Sequence, residues 1–430
     1  MDITVSWIGA LAGLSLAITL ILFRLAPTYA LVLGAIVGAL IGGANVTETV
    51  SIIIAGTQSV MGTVVRILAA GVFAGVMMES GAAETLAGVI VKKLGGSKAI
   101  LALSLATMVI TGVGVFIPVA VLIVAPIALS VGNKMGYSKI ALLVALSGGG
   151  KAGNIISPNP NTIAAASGFG LDINKVMIAG FIPAVFGLIM TVIIATAINN
   201  KGTMVTDEEA KELEKDTSNH PVLSKALVAP ILAIVLLMLS PIGAVLGSDL
   251  LTNFKIDAMF ILPFAGIVGT LVMGKKADLL TFCQAGLNRM TPTVLIIVGA
   301  GAIGGLITAS DLSVQVVSLI DKMGVSGVFL APIAGILMAG ATASTSTGTI
   351  LAAGSFGEAI LNTGTAPLAA AAMVHAGATV IDHLPHGTYF HVSRDALNVS
   401  FKDRMSVVGY ESLIGGTMMI VSTILYGFVL

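Results

Sequence analysis

The amino-acid sequence predicts an all-α, polytopic membrane protein built from two inverted repeats. Hydrophobic residues make up 56% of the 430 residues and charged residues only 10%, whereas a soluble domain has about 25% charged residues. The mean hydropathy is +1.05. Apolar runs near the spanning length of about 20 residues alternate with two polar interruptions, at 148–162 and 375–391. These observations exclude a soluble globular protein.

The apolar runs are expected to form transmembrane helices. The first run lacks a basic leading segment, so we interpret it as a helix and not as a cleaved signal peptide. Two less regular regions, 99–170 and 327–392, contain apolar pieces too short to span, and each is expected to hold a re-entrant hairpin and a broken transmembrane helix. The longer runs lie at 5–23, 28–43, 51–78, 176–198, 226–246, 257–273, 290–308 and 407–429.

One hydrophilic segment, 199–225, divides the chain into an N-terminal half (1–198) and a C-terminal half (226–430). Its DEEAKELEK pattern is typical of a short, solvated helix, and we interpret the segment as a linker. The run 71–97 resembles 301–326, which indicates that the halves are repeats. A chance match between two Gly-rich apolar runs is the alternative.

The distribution of Lys and Arg predicts a cytoplasmic linker and both termini outside. Most of these residues fall in segments that this topology places inside, and only Lys175, Lys255 and Lys322 fall in segments outside. Because Lys92 then lies inside and Lys322 outside, the two repeats have opposite orientations, as in transporters that work by alternating access. We expect a multi-pass protein of the inner (plasma) membrane.

Other classes of protein receive little support. The 21 basic and 21 acidic residues balance, so nothing indicates nucleic-acid binding. The single Cys283 excludes an intramolecular disulfide and a thiolate metal cluster. The histidines of 375–391 match no standard zinc motif, because Pro385 and Gly387 interrupt the helix. We predict no cofactor, no metal and no enzyme activity.

Polar groups in the first break and in the second hairpin tip are candidate substrate ligands. Pro158 and Pro160 favour unwound backbone in the break, and a hydroxyl cluster at a half-helix N-terminus suits a carboxylate or a polyhydroxy chain. The alternatives are that the hydroxyls bond to their own helix, and that Lys151 reaches the inner surface or pairs with a carboxylate. The candidates are Lys151, Asn154, Ser157, Asn159, Asn161, Thr162, Thr342, Ser344, Thr345, Ser346, Thr347 and Thr349.

The second break holds the candidate groups for proton coupling. Asp382 lies beside His383, and His386 follows within one turn. Imidazole titrates near neutral pH and burial can raise a carboxyl pKa toward it, so these groups suit a proton relay. The alternative is that Asp382 pairs structurally with Lys151 or Arg66.

Three strings give the chain a family resemblance. ISPNPNTIAAA (156–166), AGATVIDHLPHGTYF (376–390) and STSTGTILAAG (344–354) resemble motifs of the gluconate permease (gluconate:proton symporter) family of the ion transporter superfamily. The resemblance implies proton-coupled uptake of sugar acids and hydroxy acids such as gluconate or glycerate, with D-serine-like substrates also occurring. It further implies a dimer and an elevator movement of the transport domain.

We therefore expect a proton-coupled symporter of a small hydroxylated organic anion. The substrate is expected between 151–162 and 342–349, with 382–389 closing the site. A sodium-coupled carboxylate transporter of the same superfamily is the alternative. A passive channel is a different class, disfavoured because polarity is confined to short breaks.

Overall fold

The computed structural model describes residues 5–95, 98–212, 220–323 and 326–430. Within these ranges the chain is helical, and β pairing is limited to two isolated bridges. Six of the described helical segments are long and apolar enough to cross a membrane, and shorter apolar helices accompany them. The prediction of an all-helical membrane protein is confirmed.

The N-terminal half contains ten helices in the described ranges. The predicted run 51–78 is wrong as a single helix, because two helices meet at Val60. The helices are α1 Trp7–Leu22, α2 Pro27–Ile41, α3 Val46–Ser59, α4 Met61–Glu79, α5 Ala82–Leu94, α6 Ala99–Gly112, α7 Ile117–Met135, α8 Lys139–Asn154, α9 Pro160–Gly168 and α10 Ile173–Ala197.

The linker and the C-terminal half contain twelve further helices in the described ranges. The predicted linker helix is present as α11, and 213–219 lie outside the described residues. The helices are α11 Asp207–Glu212, α12 Leu223–Ala226, α13 Val228–Leu246, α14 Asp249–Thr252, α15 Ala258–Val272, α16 Leu279–Thr308, α17 Leu312–Met323, α18 Leu330–Thr342, α19 Thr345–Asn362, α20 Pro367–Gly377, α21 Thr388–Ala396 and α22 Phe401–Ile424.

Local sequence explains each interruption near the site. Between α6 and α7, Gly114 adopts a φ of 104°, which favours glycine. Between α18 and α19, Ser344 caps α19 by accepting a hydrogen bond from the Thr347 N–H. Pro160 begins α9, where its missing N–H costs nothing. The α20–α21 break spans 378–387 and contains Pro385.

Helices of the two halves interlock in matching pairs. Helix α2 packs against α16, and α15 packs against α4. Helix α9 packs against α19, and α21 packs against α7. Five helices of the N-terminal half begin about 230 residues before their counterparts in the C-terminal half; the pairs are α2 and α15, α5 and α17, α7 and α19, α9 and α21, and α10 and α22. Each half therefore completes the packing of the other.

Two glycines bring α8 close to α6. A Cβ added at Gly149 would lie 2.0 Å from the Ser104 carbonyl oxygen, and one added at Gly153 would lie 2.0 Å from that of Met108. Small residues allow such close approach of membrane helices. The close crossing of α8 and α6 positions Lys151, which lies between these two glycines on α8.

The start of the linker is tied to the rest of the chain at Glu209. Burial opposes its ionisation, but hydrogen bonds from Lys139, Thr206 and Asn398 prevail and lower the pKa of Glu209 to about 2. A depressed carboxyl pKa stabilises the folded state above the ordinary pKa, and this contribution is lost as the pH falls toward 2. The linker is thus held against α8 and the α21–α22 junction at neutral pH.

Candidate functional site

A cavity of about 790 Å³ is lined by the α6–α7, α8–α9, α18–α19 and α20–α21 connections and by two further segments. The further segments are the α1–α2 junction and α16, which contribute Arg24–Pro27, Arg289, Thr293 and Ile296. The four connections contribute Phe116–Val119, Asn154, Asn161, residues 342–347, Asp382, residues 385–389 and His391. The structure therefore brings together segments that are far apart in the sequence.

Five helices, α2, α7, α9, α19 and α21, begin in the wall of this cavity, and α1, α8 and α18 end there. A helix N-terminus carries about half a positive charge and presents free N–H groups, whereas a C-terminus carries the opposite partial charge. The N-termini outnumber the C-termini and are suited to a negatively charged group.

Lys151 is fully buried and forms an ion pair with Asp382. Its Nζ also donates to the Thr379 carbonyl oxygen at 2.6 Å. The second carboxylate oxygen of Asp382 accepts a hydrogen bond from Thr345 Oγ1. Of the alternatives left open by the sequence, the structure therefore shows Lys151 paired with a carboxylate, behind the cavity wall and away from the inner surface.

A second buried ion pair joins Arg404 and Glu411, two turns apart on α22. Arg404 Nη1 lies 2.7 Å from Glu411 Oε2, and both side chains are fully buried. Ser147, one turn before Lys151 on α8, donates to Glu411 Oε1. Arg404 Nε donates to Ser393 Oγ at 2.9 Å. Each of the four charged side chains in these two buried pairs thus has a partner of opposite charge.

His383 connects the two ion pairs. Its Nδ1 lies 2.9 Å from Asp382 Oδ1, and its Nε2 lies 3.8 Å from Glu411 Oε2. The Val408 carbonyl oxygen lies 2.9 Å from the same Nε2. We call the series Lys151, Asp382, His383, Glu411 and Arg404 the buried charge chain.

Sequence reasoning missed Glu411 and the burial of Arg404. The charge distribution counted Arg404 only as a cation of an inside segment, whereas the structure shows that its side chain is fully buried. Glu411 is the sole acidic residue of the apolar run 407–429. A lone carboxylate in such a run, seven residues after an Arg on the same helix face, is the signal that could have identified the pair.

Two asparagines present unpaired polar atoms at the cavity. Asn154 Nδ2 and Asn161 Oδ1 are buried without a hydrogen-bond partner, and both residues line the cavity. Leaving a buried polar group unpaired costs about 1–3 kcal/mol. Asn159 differs, because its Oδ1 accepts from the N–H groups of Asn161 and Thr162 and so caps α9.

The other predicted site residues divide between the cavity wall and the protein interior. In the wall, Thr342 Oγ1 donates to the Met338 carbonyl at 2.8 Å, as the helix-bonding alternative proposes. Ser344, Thr345, Ser346, Thr347 and His386 also lie in the wall. Outside the lining lie Lys151, Ser157, Asn159, Thr162, Thr349 and His383. Among the described residues, no group of three or more His, Cys, Asp or Glu side chains could hold a metal ion.

The apolar helices and the central cavity, surrounded by helix breaks and buried charges, define an integral membrane protein of the transporter class. Residues 3–429 match the family model of the GntP family permease, and the chain belongs to this family. It is therefore a member of a transporter family and not of an enzyme family.

Individual relatives agree with this assignment. The chain is 48% identical over 424 residues to an uncharacterized transporter of Haemophilus influenzae, with 99% of each chain covered. It is 24% identical to a gluconate permease of Zymomonas mobilis, with 91% of each covered. It is also 24% identical to the D-serine transporter DsdX of Escherichia coli, covering 76% of this chain and 77% of that one.

The fold is also found in a solved structure. The YdaH transporter of Alcanivorax borkumensis superimposes with a TM-score of 0.65 over 89% of each chain, at 15% identity. At this identity the likeness concerns the fold alone.

Proposed function

We propose that the protein is a proton-coupled symporter of a small hydroxylated organic anion of the gluconate or glycerate class. The observation that carries this proposal is the group of five helix N-termini in the cavity wall, with unpaired amide atoms of Asn154 and Asn161 beside a buried carboxylate and imidazole. The N-termini suit the carboxylate of the substrate. The amides and the hydroxyls of 342–347 suit its hydroxyl chain.

The ion pairing favours a simple anion over an amino acid. An ammonium group in the cavity needs a carboxylate partner, and Asp382 is already held by Lys151 and Thr345. A D-serine-like substrate is the second candidate, since one relative is named a D-serine transporter.

The matching helix pairs support two inverted repeats and alternating access. In this proposal α6–α7 and α18–α19 are re-entrant hairpins whose tips meet at the cavity, and both termini lie outside. The protein acts as a homodimer in the inner membrane, and the breaks and tips move as a transport domain against α2, α4, α15 and α16. The division at 199–225 remains a prediction.

Proton coupling is assigned to Asp382, with His383 or His386. Asp382 reaches both the cavity and the buried charge chain, so its ionisation is linked to both. Sodium coupling is the alternative, because neutral oxygens of Asn, Ser, Thr and backbone at the breaks could ligate the ion.

The Asp382→Asn variant tests the coupling. In liposomes with an imposed pH gradient, we expect wild-type protein to accumulate gluconate and the variant to lose gradient-driven accumulation. Exchange of labelled for unlabelled gluconate at equal pH should persist, because it needs no net proton movement and because Lys151 can lose its proton and so leave no unpaired buried charge. Asp395→Asn, at a surface ion pair, is the control. Full gradient-driven uptake by Asp382→Asn would exclude this role, and uptake that needs sodium and ignores pH would favour the sodium alternative.

The Asn161→Ala and Asn159→Ala variants separate binding from folding. Asn161→Ala removes an unpaired acceptor, so we expect KM for gluconate to rise about tenfold, equivalent to one hydrogen bond of about 1.4 kcal/mol, with Tm unchanged. Asn159→Ala removes the α9 cap and should lower stability by about 1 kcal/mol. Uptake kinetics and thermal unfolding measure the two effects. Equal losses of Tm in both variants would contradict a ligand role for Asn161.

A further inference from the structure

A second polar cavity, of about 450 Å³, lies beside α4, the α9–α10 junction and the N-terminus of α15. It contains an ion pair that the proposed function does not use. Arg66 Nη2 lies 2.7 Å from Asp257 Oδ2, and the side chains are 39% and 33% exposed. The guanidinium is therefore accessible from the cavity.

The linings of the two cavities correspond along the two halves of the chain. The matched runs 71–80 and 301–310 set an offset of about 230 residues. At this offset Ser59, Thr63 and Arg66 of the second cavity correspond to Arg289, Thr293 and Ile296 of the first. Residues 254–257 of the second correspond to 24–27 of the first. Two separate segments thus give the same correspondence.

The other parts of the two linings differ. In the first cavity they belong to the four helix connections. In the second they belong to α9 and the start of α10, together with Leu236, Leu237 and Ser240 of α13. Inverted repeats place equivalent positions toward opposite sides of the membrane. The second cavity would therefore lie on the side of the membrane to which the substrate site opens in the other state of the transport cycle.

The ion pair of the second cavity has no equivalent in the first. The position that corresponds to Arg66 is Ile296, and the N-cap of α15, Asp257, corresponds to the N-cap of α2, Ala26. Asp257 also accepts from the Met259 N–H and so caps α15, which gives this carboxylate a partner when Arg66 turns away. A guanidinium binds carboxylates through two parallel hydrogen bonds. The lining also contains one further cation, Lys255, and one further carboxylate, Asp172.

We propose that the second cavity is the outer vestibule of the transport path, and that Arg66 binds the substrate carboxylate there. The substrate carboxylate replaces the carboxylate of Asp257 as the partner of the Arg66 guanidinium. This proposal rests on the proposed function and deepens it. Arg66 thereby captures a small organic anion from outside before the site closes around it.

Opposite effects of two variants test the exchange. In vesicles of defined orientation, Arg66→Gln should raise KM for gluconate added from outside about tenfold and leave KM from the inner side within about twofold. Asp257→Asn frees Arg66, so the outer KM should stay equal or fall. Lys175→Gln, an exposed cation near α10 outside the lining, is the matched control. If Arg66→Gln and Asp257→Asn act alike, or if Arg66→Gln behaves as Lys175→Gln, the proposal is wrong.

Thiol labelling tests the vestibule without reference to transport. In a Cys283→Ser background, Ser59→Cys should react with a membrane-impermeant reagent from outside, and gluconate should slow the reaction. Thr293→Cys, in the first cavity, should react from the inner side. No outside labelling of Ser59→Cys would overturn the vestibule. If wild-type protein moves no gluconate but Ser59→Cys still reacts from outside, the substrate assignment fails and the vestibule stands.

Discussion

Lys151→Met is expected to abolish transport and to lower the free energy of unfolding by about 3–5 kcal/mol. The substitution leaves the Asp382 carboxylate buried with the imidazole of His383 and the hydroxyl of Thr345 but without its cation. Removing one partner of a buried ion pair costs more than the pair contributes, because the remaining charge is desolvated and uncompensated. Denaturant unfolding in detergent and uptake into liposomes measure the two losses.

The double variant Lys151→Met with Asp382→Asn separates charge from fold. With both charges removed, most of the lost stability should return while gradient-driven accumulation stays absent. Lys402→Met, at an exposed position near the start of α22, should change stability by less than about 0.5 kcal/mol. If the Lys151→Met single variant has the wild-type free energy of unfolding, the Lys151–Asp382 ion pair does not stabilise the folded protein.

Glu411→Gln is expected to destabilise the protein by a similar amount, about 3–5 kcal/mol. Arg404 stays protonated in any protein environment. Unlike a buried lysine, it therefore cannot become neutral when its counter-charge is removed. Its remaining contacts, Ser393 Oγ and the ring of Phe390 at 4.7 Å, are neutral. We expect a low yield of folded protein and a lowered Tm.

Replacing both members of this pair gives the control. Arg404→Met with Glu411→Gln should recover most of the stability, because the double variant leaves no unpaired charge in the interior. Arg394→Gln, at the surface ion pair with Asp395, should cost at most about 1 kcal/mol. If Glu411→Gln is no more destabilising than Arg394→Gln, the pair on α22 does not stabilise the fold.

The sequence predicts which segments form the site but not which of their side chains pair with one another. Sequence reasoning identified the helix interruptions within 342–349 and 148–162, since Gly, Pro and hydroxyl residues interrupt apolar helices locally. It left Lys151 between a substrate, a carboxylate and the inner surface. It also treated the tip hydroxyls as one group, whereas Thr345 holds Asp382 and Thr342 bonds to its own helix.

The membrane class, the all-helical fold and the places where helices break can be predicted from the amino-acid sequence, because hydropathy and backbone constraints act within short stretches of chain. The pairing of the charges and the set of polar atoms that face the cavity depend on tertiary packing. Lys151 and Asp382 lie in different halves, as do Ser147 and Glu411. Such partners are selected by desolvation, since a buried charge requires its counter-charge within hydrogen-bonding distance, and that distance is set only when the two halves interlock.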